Sequence, residues 1–174
     1  MSNKLSLLAF TIFILLLYVG LDNNSRLVHS PLIDKKLPEF NLPILQSESQ
    51  AKISTFPDDT FLLNVWASWC IECIREHQVL NLVVNDEKVR LIGINYKDSE
   101  ADAVGWLNIY GNPYEYNIFD KEGELGIDLG VYGVPETFLV DKNKVIRAKY
   151  IGVISEDIYY NEILPTIEKI KDDY

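Results

Sequence analysis

Cys70 and Cys73 are the only two cysteines of this chain, and they stand together in Trp69-Cys70-Ile71-Glu72-Cys73. Before them runs the apolar stretch Phe61-Leu62-Leu63-Asn64-Val65-Trp66, and after them comes a segment of helical character, 74–85. A C-x-x-C placed where a strand turns into a helix is the arrangement of a dithiol redox site. Two intervening residues let the sulfurs meet across the first helical turn. The first thiol then lies where unpaired backbone N–H groups and the helix dipole favour a thiolate, the reactive form. The second is placed to attack any mixed disulfide formed by the first.

A C-x-x-C is also half of a zinc site. Zinc needs two more ligands, and the chain offers only His29, in an expected linker, and His77, one turn along the same helix. No metal is therefore expected, and no nicotinamide or flavin motif is present: the cysteine pair is read as the whole cofactor. A formal net charge of −10 argues against a nucleic-acid partner, because phosphate binding needs a basic surface.

At the N-terminus, residues 5–21 carry no charge and are almost entirely apolar. As a helix this run spans about 25 Å, near the lower limit for crossing a bilayer. Lys4 precedes it, which favours a cytoplasmic N-terminus. A cleaved signal peptide is the rival reading, but Val19-Gly20-Leu21-Asp22-Asn23-Asn24-Ser25 holds no clean small-x-small site. Residues 1–22 are therefore read as an uncleaved anchor, 23–36 as a polar linker and 37–174 as the folded domain. With either reading the dithiol is exported to a compartment where disulfides persist.

Along the domain, strands and helices alternate. The predicted elements are a buried strand over 60–66, a helix over 71–85, a strand over 89–95, a helix over 100–110, a short strand over 117–119 and a helical turn over 124–129. Strands over 137–140 and 145–150 then flank the hairpin turn Asp141-Lys142-Asn143-Lys144, and a final helix covers 156–171. This pattern predicts an α/β sandwich: a central mixed sheet flanked by helices, preceded by the transmembrane helix.

Asn64-Val65-Trp66-Ala67-Ser68-Trp69-Cys70-x-x-Cys73 resembles the active-site segment of thioredoxin-fold proteins. Gly130-Val131-Tyr132-Gly133-Val134-Pro135-Glu136-Thr137-Phe138-Leu139-Val140-Asp141 is more discriminating. It resembles the proline loop and following strand of the DsbE/CcmG family, membrane-anchored thioredoxin-like proteins of bacterial cytochrome c maturation. Arg75-Glu76-His77-Gln78, Asn95-Tyr96-Lys97-Asp98 and Gly111-Asn112-Pro113-Tyr114 fit the same family. The resemblance implies a thiol–disulfide oxidoreductase, single-pass in the inner membrane with its domain in the periplasm. It would reduce disulfides of apocytochrome c or of maturation-complex thiols, and be re-reduced by a transmembrane thiol–disulfide electron donor. General disulfide reductase, general oxidant and a partner-docking module with incidental thiols are the competing readings. A copper chaperone on this fold generally uses C-x-x-x-C plus a distant histidine, and no histidine follows His77.

Cys70, nearer the helix start and following an exposed Trp69, is the expected nucleophile, and Cys73 the expected resolving thiol. The resemblance makes Pro135 a cis-proline facing the dithiol, with the backbone of Val134 open to an extended substrate. Trp69, Val134 and Glu136 are the expected substrate-binding residues; Glu136, next to Pro135, is also a second acidic candidate for the proton, and its bland alternative is an acid that only shapes the partner-facing surface. Glu76 lies three residues after Cys73 on the helix face continued by Leu80, Val83 and Val84. Thioredoxins commonly place a buried aspartate where this chain has Asn64, so Glu76 is expected to accept the Cys73 proton, with desolvation raising its pKa. A partly exposed glutamate that stabilises the helix start is the alternative. The family often has proline after the first cysteine. Here Ile71-Glu72 stands instead, with Glu72 expected to oppose thiolate formation while the same charge helps the helix N-terminus, leaving the net effect on reduction potential open. His77 is read as a solvated or hydrogen-bonded helix residue outside catalysis.

Overall fold

A computed structural model describes residues 2–21, 31–85 and 89–172. Six of seven residues from 61 to 67 are apolar, and the strand they form, β3 (Phe61–Trp66), is buried along its whole length. Such a strand needs a neighbour on each edge and a layer on each face. β4 (Arg90–Tyr96) pairs with it in parallel, and β6 (Glu136–Val140) antiparallel. Outside these lie β5 (Asn117–Asp120), parallel to β4, and β7 (Ile146–Ile151), antiparallel to β6. The order β5-β4-β3-β6-β7 is the expected mixed sheet. The parallel pairs are joined by crossover helices α2 (Ile71–Asn85) and α3 (Glu100–Tyr110).

Because successive strand residues face opposite ways, β3 feeds two cores. Leu62 and Trp66 join Cys73, Leu80 and Val83 of α2 with Trp106 and Leu107 of α3. Phe61, Leu63 and Val65 join Ile92, Ile118, Phe138 and Leu125, the last from α4 (Glu124–Asp128). Asn64 belongs by alternation to the α2 side. At Gly93, its parallel neighbour on β4, a Cβ would fall 2.1 Å from Asn117 Oδ1 and 2.9 Å from Trp66 Nε1. Those two atoms hydrogen-bond each other at 2.9 Å, so glycine makes room for a buried polar tie between strands.

Several elements depart from expectation. β1 (Leu42–Pro43) and β2 (Gln50–Ala51) form a two-residue hairpin that was not anticipated, and a 3-10 turn, Ile53–Thr55, follows. The final helix is three segments: α5 (Glu156–Ile158), a π-helical turn (Tyr159–Ile163) and α6 (Leu164–Asp172). Residues 31–36, assigned to the linker, lie along the sheet. Asp34 N–H donates to the Ile146 carbonyl at 2.8 Å, Lys36 bridges to Val145, and Leu32 and Ile33 pack on the second core. Apolar side chains at 32 and 33 have the sheet to cover, which holds this end of the expected linker down.

The N-terminal apolar run is helical, as α1 (Ser2–Leu21). Side chains are described there for Lys4 and residues 6–17, all exposed. Among the described residues no helix is long and apolar enough to cross a membrane. Asp22 and the rest of the expected linker, 23–30, with His29 in it, lie outside the described residues.

Candidate active site

α2 begins at Ile71, so Cys70 occupies the N-cap position. Its Sγ accepts the N–H of Cys73, the third helical residue, at 3.1 Å. This is the place where a serine or aspartate oxygen ordinarily satisfies an orphan helix N–H, and a thiolate gains the same donor and the dipole. Cys70 and Cys73 are joined as a disulfide. Both sulfurs are sheltered, Cys70 at 6% exposure and Cys73 at 2%. Trp69, the residue before, is 57% exposed and tethered: its indole N–H donates to the Lys97 carbonyl at 2.9 Å.

The approach to the dithiol is clamped by Asp98. One carboxylate takes the Ser68 N–H at 2.6 Å, the Ser68 hydroxyl at 2.7 Å and the Asn95 amide at 2.9 Å. The strand end, the turn before Cys70 and the start of α3 are thereby one piece. Nothing in the sequence singled out Asp98 as the clamp, although its segment, Asn95-Tyr96-Lys97-Asp98, was noted.

Opposite the dithiol, the Val134–Pro135 peptide is cis, and the Val134 carbonyl oxygen lies 3.5 Å from Cys70 Sγ. Val134 is partly buried and Pro135 buried. The expected facing of loop and dithiol is therefore present.

Glu76 is 1% exposed on the buried face of α2. Its Oε2 accepts from the Asn64 amide at 2.8 Å and its Oε1 from the Ile154 N–H at 3.0 Å. Desolvation outweighs both donors and raises its pKa from 4.5 to about 7. Asn64 is a hub: its amide also donates to Thr137 Oγ1 at 2.9 Å, and its Oδ1 accepts from the Tyr114 hydroxyl at 2.7 Å. Burial, with the Glu76 charge second, raises the Tyr114 pKa. The alternative of a partly exposed glutamate at the helix start is not what the fold provides.

One reading needs correction. Glu136 is not on the surface: the side chain is fully buried, its Oε1 accepting the Tyr132 N–H at 3.0 Å and its Oε2 2.9 Å from Lys149 Nζ. It faces inward because β6 alternation puts 136, 138 and 140 on the second core, so it acts on a partner surface only through the loop it holds. Glu72 is exposed and paired with Arg75 at 3.1 Å, so solvent and a cation offset the charge expected to oppose the thiolate. Of the two readings of His77 the hydrogen-bonded one holds: the side chain is buried, its Nε2 2.8 Å from the Gly111 carbonyl and its ring edge-on to Trp106 at 4.5 Å. Burial lowers its pKa, against the opposing hydrogen bond. Among the described residues no group of three His, Cys, Asp or Glu side chains is placed to hold a metal ion.

A family model described as Redoxin matches residues 33–163. The thiol:disulfide interchange protein DsbE of Allochromatium vinosum is 40% identical over 172 residues, covering 97% of this chain and 95% of the relative. This chain is a member of the DsbE family. The Escherichia coli K12 member is 44% identical over 145 residues, 82% of this chain and 77% of that protein. A crystal structure of a secreted thiol-disulfide isomerase from Corynebacterium glutamicum superposes with a TM-score of 0.65 at 23% identity. It covers 76% of this chain and 85% of the other, a likeness of fold alone. DsbE membership together with the Cys70–Cys73 pair makes the protein a thioredoxin-like thiol–disulfide oxidoreductase.

The chemistry follows from the site. A thiolate of the pair can attack one sulfur of a partner disulfide, forming a mixed disulfide and releasing the other sulfur as a thiolate; the second thiol of the pair can then attack the first, freeing the remaining partner thiol and closing the Cys70–Cys73 disulfide. The same exchange runs in reverse, so the pair passes two electrons to a partner or takes two from it.

Proposed function

We propose that this protein is a periplasmic reductant of disulfides in apocytochrome c, or in a partner of the maturation machinery, during cytochrome c biogenesis. The observation that carries the reading is the dithiol at a helix N-cap with the Val134 carbonyl 3.5 Å from Cys70 Sγ. An extended peptide paired against Val134 has its sulfur delivered to the nucleophile. Electrons arrive by thiol exchange from a transmembrane carrier, and the pair itself is the only cofactor. Among the described residues, no lysine, arginine or histidine side chain forms an ion pair or hydrogen bond with either sulfur, so the thiolate has backbone support alone. A weakly stabilised thiolate favours the disulfide and makes the reduced form an electron donor. In a strain lacking its own such protein, the full-length chain should restore holocytochrome c, and Cys70→Ser/Cys73→Ser should not. Its reduction potential should lie well below roughly −120 mV, the range of a strong periplasmic oxidant. A potential near that value, or full assembly by the double-serine variant, would refute the proposal.

The uncharged, almost entirely apolar sequence run 5–21, with Lys4 before it, supports a single inner-membrane anchor with the domain in the periplasm. In fractionated cells the protein should sediment with membranes and keep Met1 by mass spectrometry. A soluble species beginning between residues 20 and 29 would show a cleaved leader instead.

A further inference from the structure

We propose that Lys149 is the positioning residue of the loop that presents Val134 and Pro135 to Cys70; the inference rests on the function proposed above. Lys149 sits on β7 opposite Phe138 of β6, and Glu136, two residues back along β6, shares that face. The two side chains are 1% and 0% exposed, with Nζ 2.9 Å from Oε2. Oε2 accepts no well-aligned hydrogen bond, so the contact is Coulombic. The ammonium is otherwise engaged. It donates to the Gly130 carbonyl at 2.7 Å and lies 4.6 Å from the Tyr132 ring centre and 5.2 Å from that of Phe138.

Two of these contacts, to Gly130 and Tyr132, end on the segment that leads to the dithiol. Gly130 turns the chain out of α4 with φ +61, a left-handed conformation, and its carbonyl is held by Lys149. Tyr132 is held twice, by its N–H on Glu136 and by its ring over the ammonium. At the far end, the Pro135 carbonyl accepts the Gly152 N–H at 2.9 Å. Between these fixed points lies Val134, whose carbonyl faces Cys70 Sγ. A buried ammonium needs all its donors met, and a buried ion pair adds little net stability over apolar packing. What this pair supplies is a defined place for residues 130–135. A peptide disulfide aligned against Val134 depends on that place, whereas a small disulfide needs only access to Cys70.

The test compares the reduced full-length chain with Lys149→Met, Lys149→Arg and the double variant Glu136→Gln/Lys149→Met. Each is assayed with a peptide carrying an intramolecular cysteine disulfide and with hydroxyethyl disulfide. Lys149→Met should lose about tenfold or more in kcat/KM for the peptide, mainly through KM, with the small disulfide nearly unchanged. Lys149→Arg, which keeps the charge, should recover most of the loss. If the lone Glu136 carboxylate keeps Lys149→Met from folding, the double variant, which buries no charge, should show the same peptide-selective loss. Equal loss with both disulfides, no loss with the peptide, or no recovery by arginine overturns the inference. A wild type that leaves the peptide untouched overturns the proposed function and this inference together. A wild type that reduces it no faster than Lys149→Met overturns this inference alone.

Discussion

Cys73→Ser should accumulate a mixed disulfide with a substrate peptide through Cys70, and Cys70→Ser should accumulate at least about tenfold less, since exchange needs both thiolate character and access. The asymmetry is built into the helix start. Cys70 Sγ is the N-cap acceptor of the Cys73 N–H, and its side faces the Val134 loop where a peptide would lie. Cys73 is one turn along the helix, packed with Leu80 and Trp66, and is 2% exposed against 6% for Cys70. Non-reducing gels after mixing each variant of the full-length chain with a peptide containing a cysteine pair give the measurement. Equal trapping by the two variants would reverse or erase the assignment of nucleophile and resolver.

Glu76→Gln should change the pH dependence of both stability and turnover. An unfolded glutamate releases its proton near 4.5, and the buried one holds it to about 7. Between those values the native state binds more protons than the unfolded state, so stability falls as pH rises. The contribution is complete below pH 4.5 and gone above about pH 7, a loss of about 3 kcal/mol. Urea midpoints at pH 5 and pH 8 should therefore diverge in the wild type and converge in Glu76→Gln. In the reaction, the ionised carboxylate is the form able to take the Cys73 proton, so the resolving step should accelerate through pH 7. Glu76→Gln should slow that step by about tenfold or more, at the low end of general-base effects, and flatten its profile. Parallel pH profiles for the two proteins would remove Glu76 from proton transfer.

The legible parts were those with a local signature. α2 and α3 have the bounds expected of them, because α2 buries Cys73, Glu76, His77, Leu80 and Val83 at helical spacing, and Ser99 caps α3 by accepting the Asp102 N–H at 3.1 Å. β3 was readable as a continuous apolar run. The β1–β2 hairpin was not, because two residues per strand establish no period, and Pro43 argues against a strand. The cysteines, the cis bond at Pro135 and the burial of Glu76 follow from motif and helix face. The inward turn of Glu136 needed the register of β6 on β7: its partner Lys149 lies across a hairpin and is only diagonally related to it. A lysine in a strand, behind an acidic residue in the preceding one, was the signal available. Asn64 was noted as non-titrating, but its donors and acceptor reach β6, α2 and the segment after α3, an arrangement only tertiary structure supplies.

The cysteine pair spans a sequence separation of only three. A covalent link closing so small a ring takes little freedom from the unfolded chain, less than the about 3 kcal/mol of a 15-residue loop. By linkage, the affinity of the pair for electrons in the native and unfolded chains differs by the amount that oxidation changes folding stability. A tight ring keeps that difference modest, so the sheet and its two cores, not the crosslink, hold the molecule together. The protein can therefore pass through complete redox cycles as one folded object, losing and regaining its only covalent bridge at each turnover without wagering its structure on it.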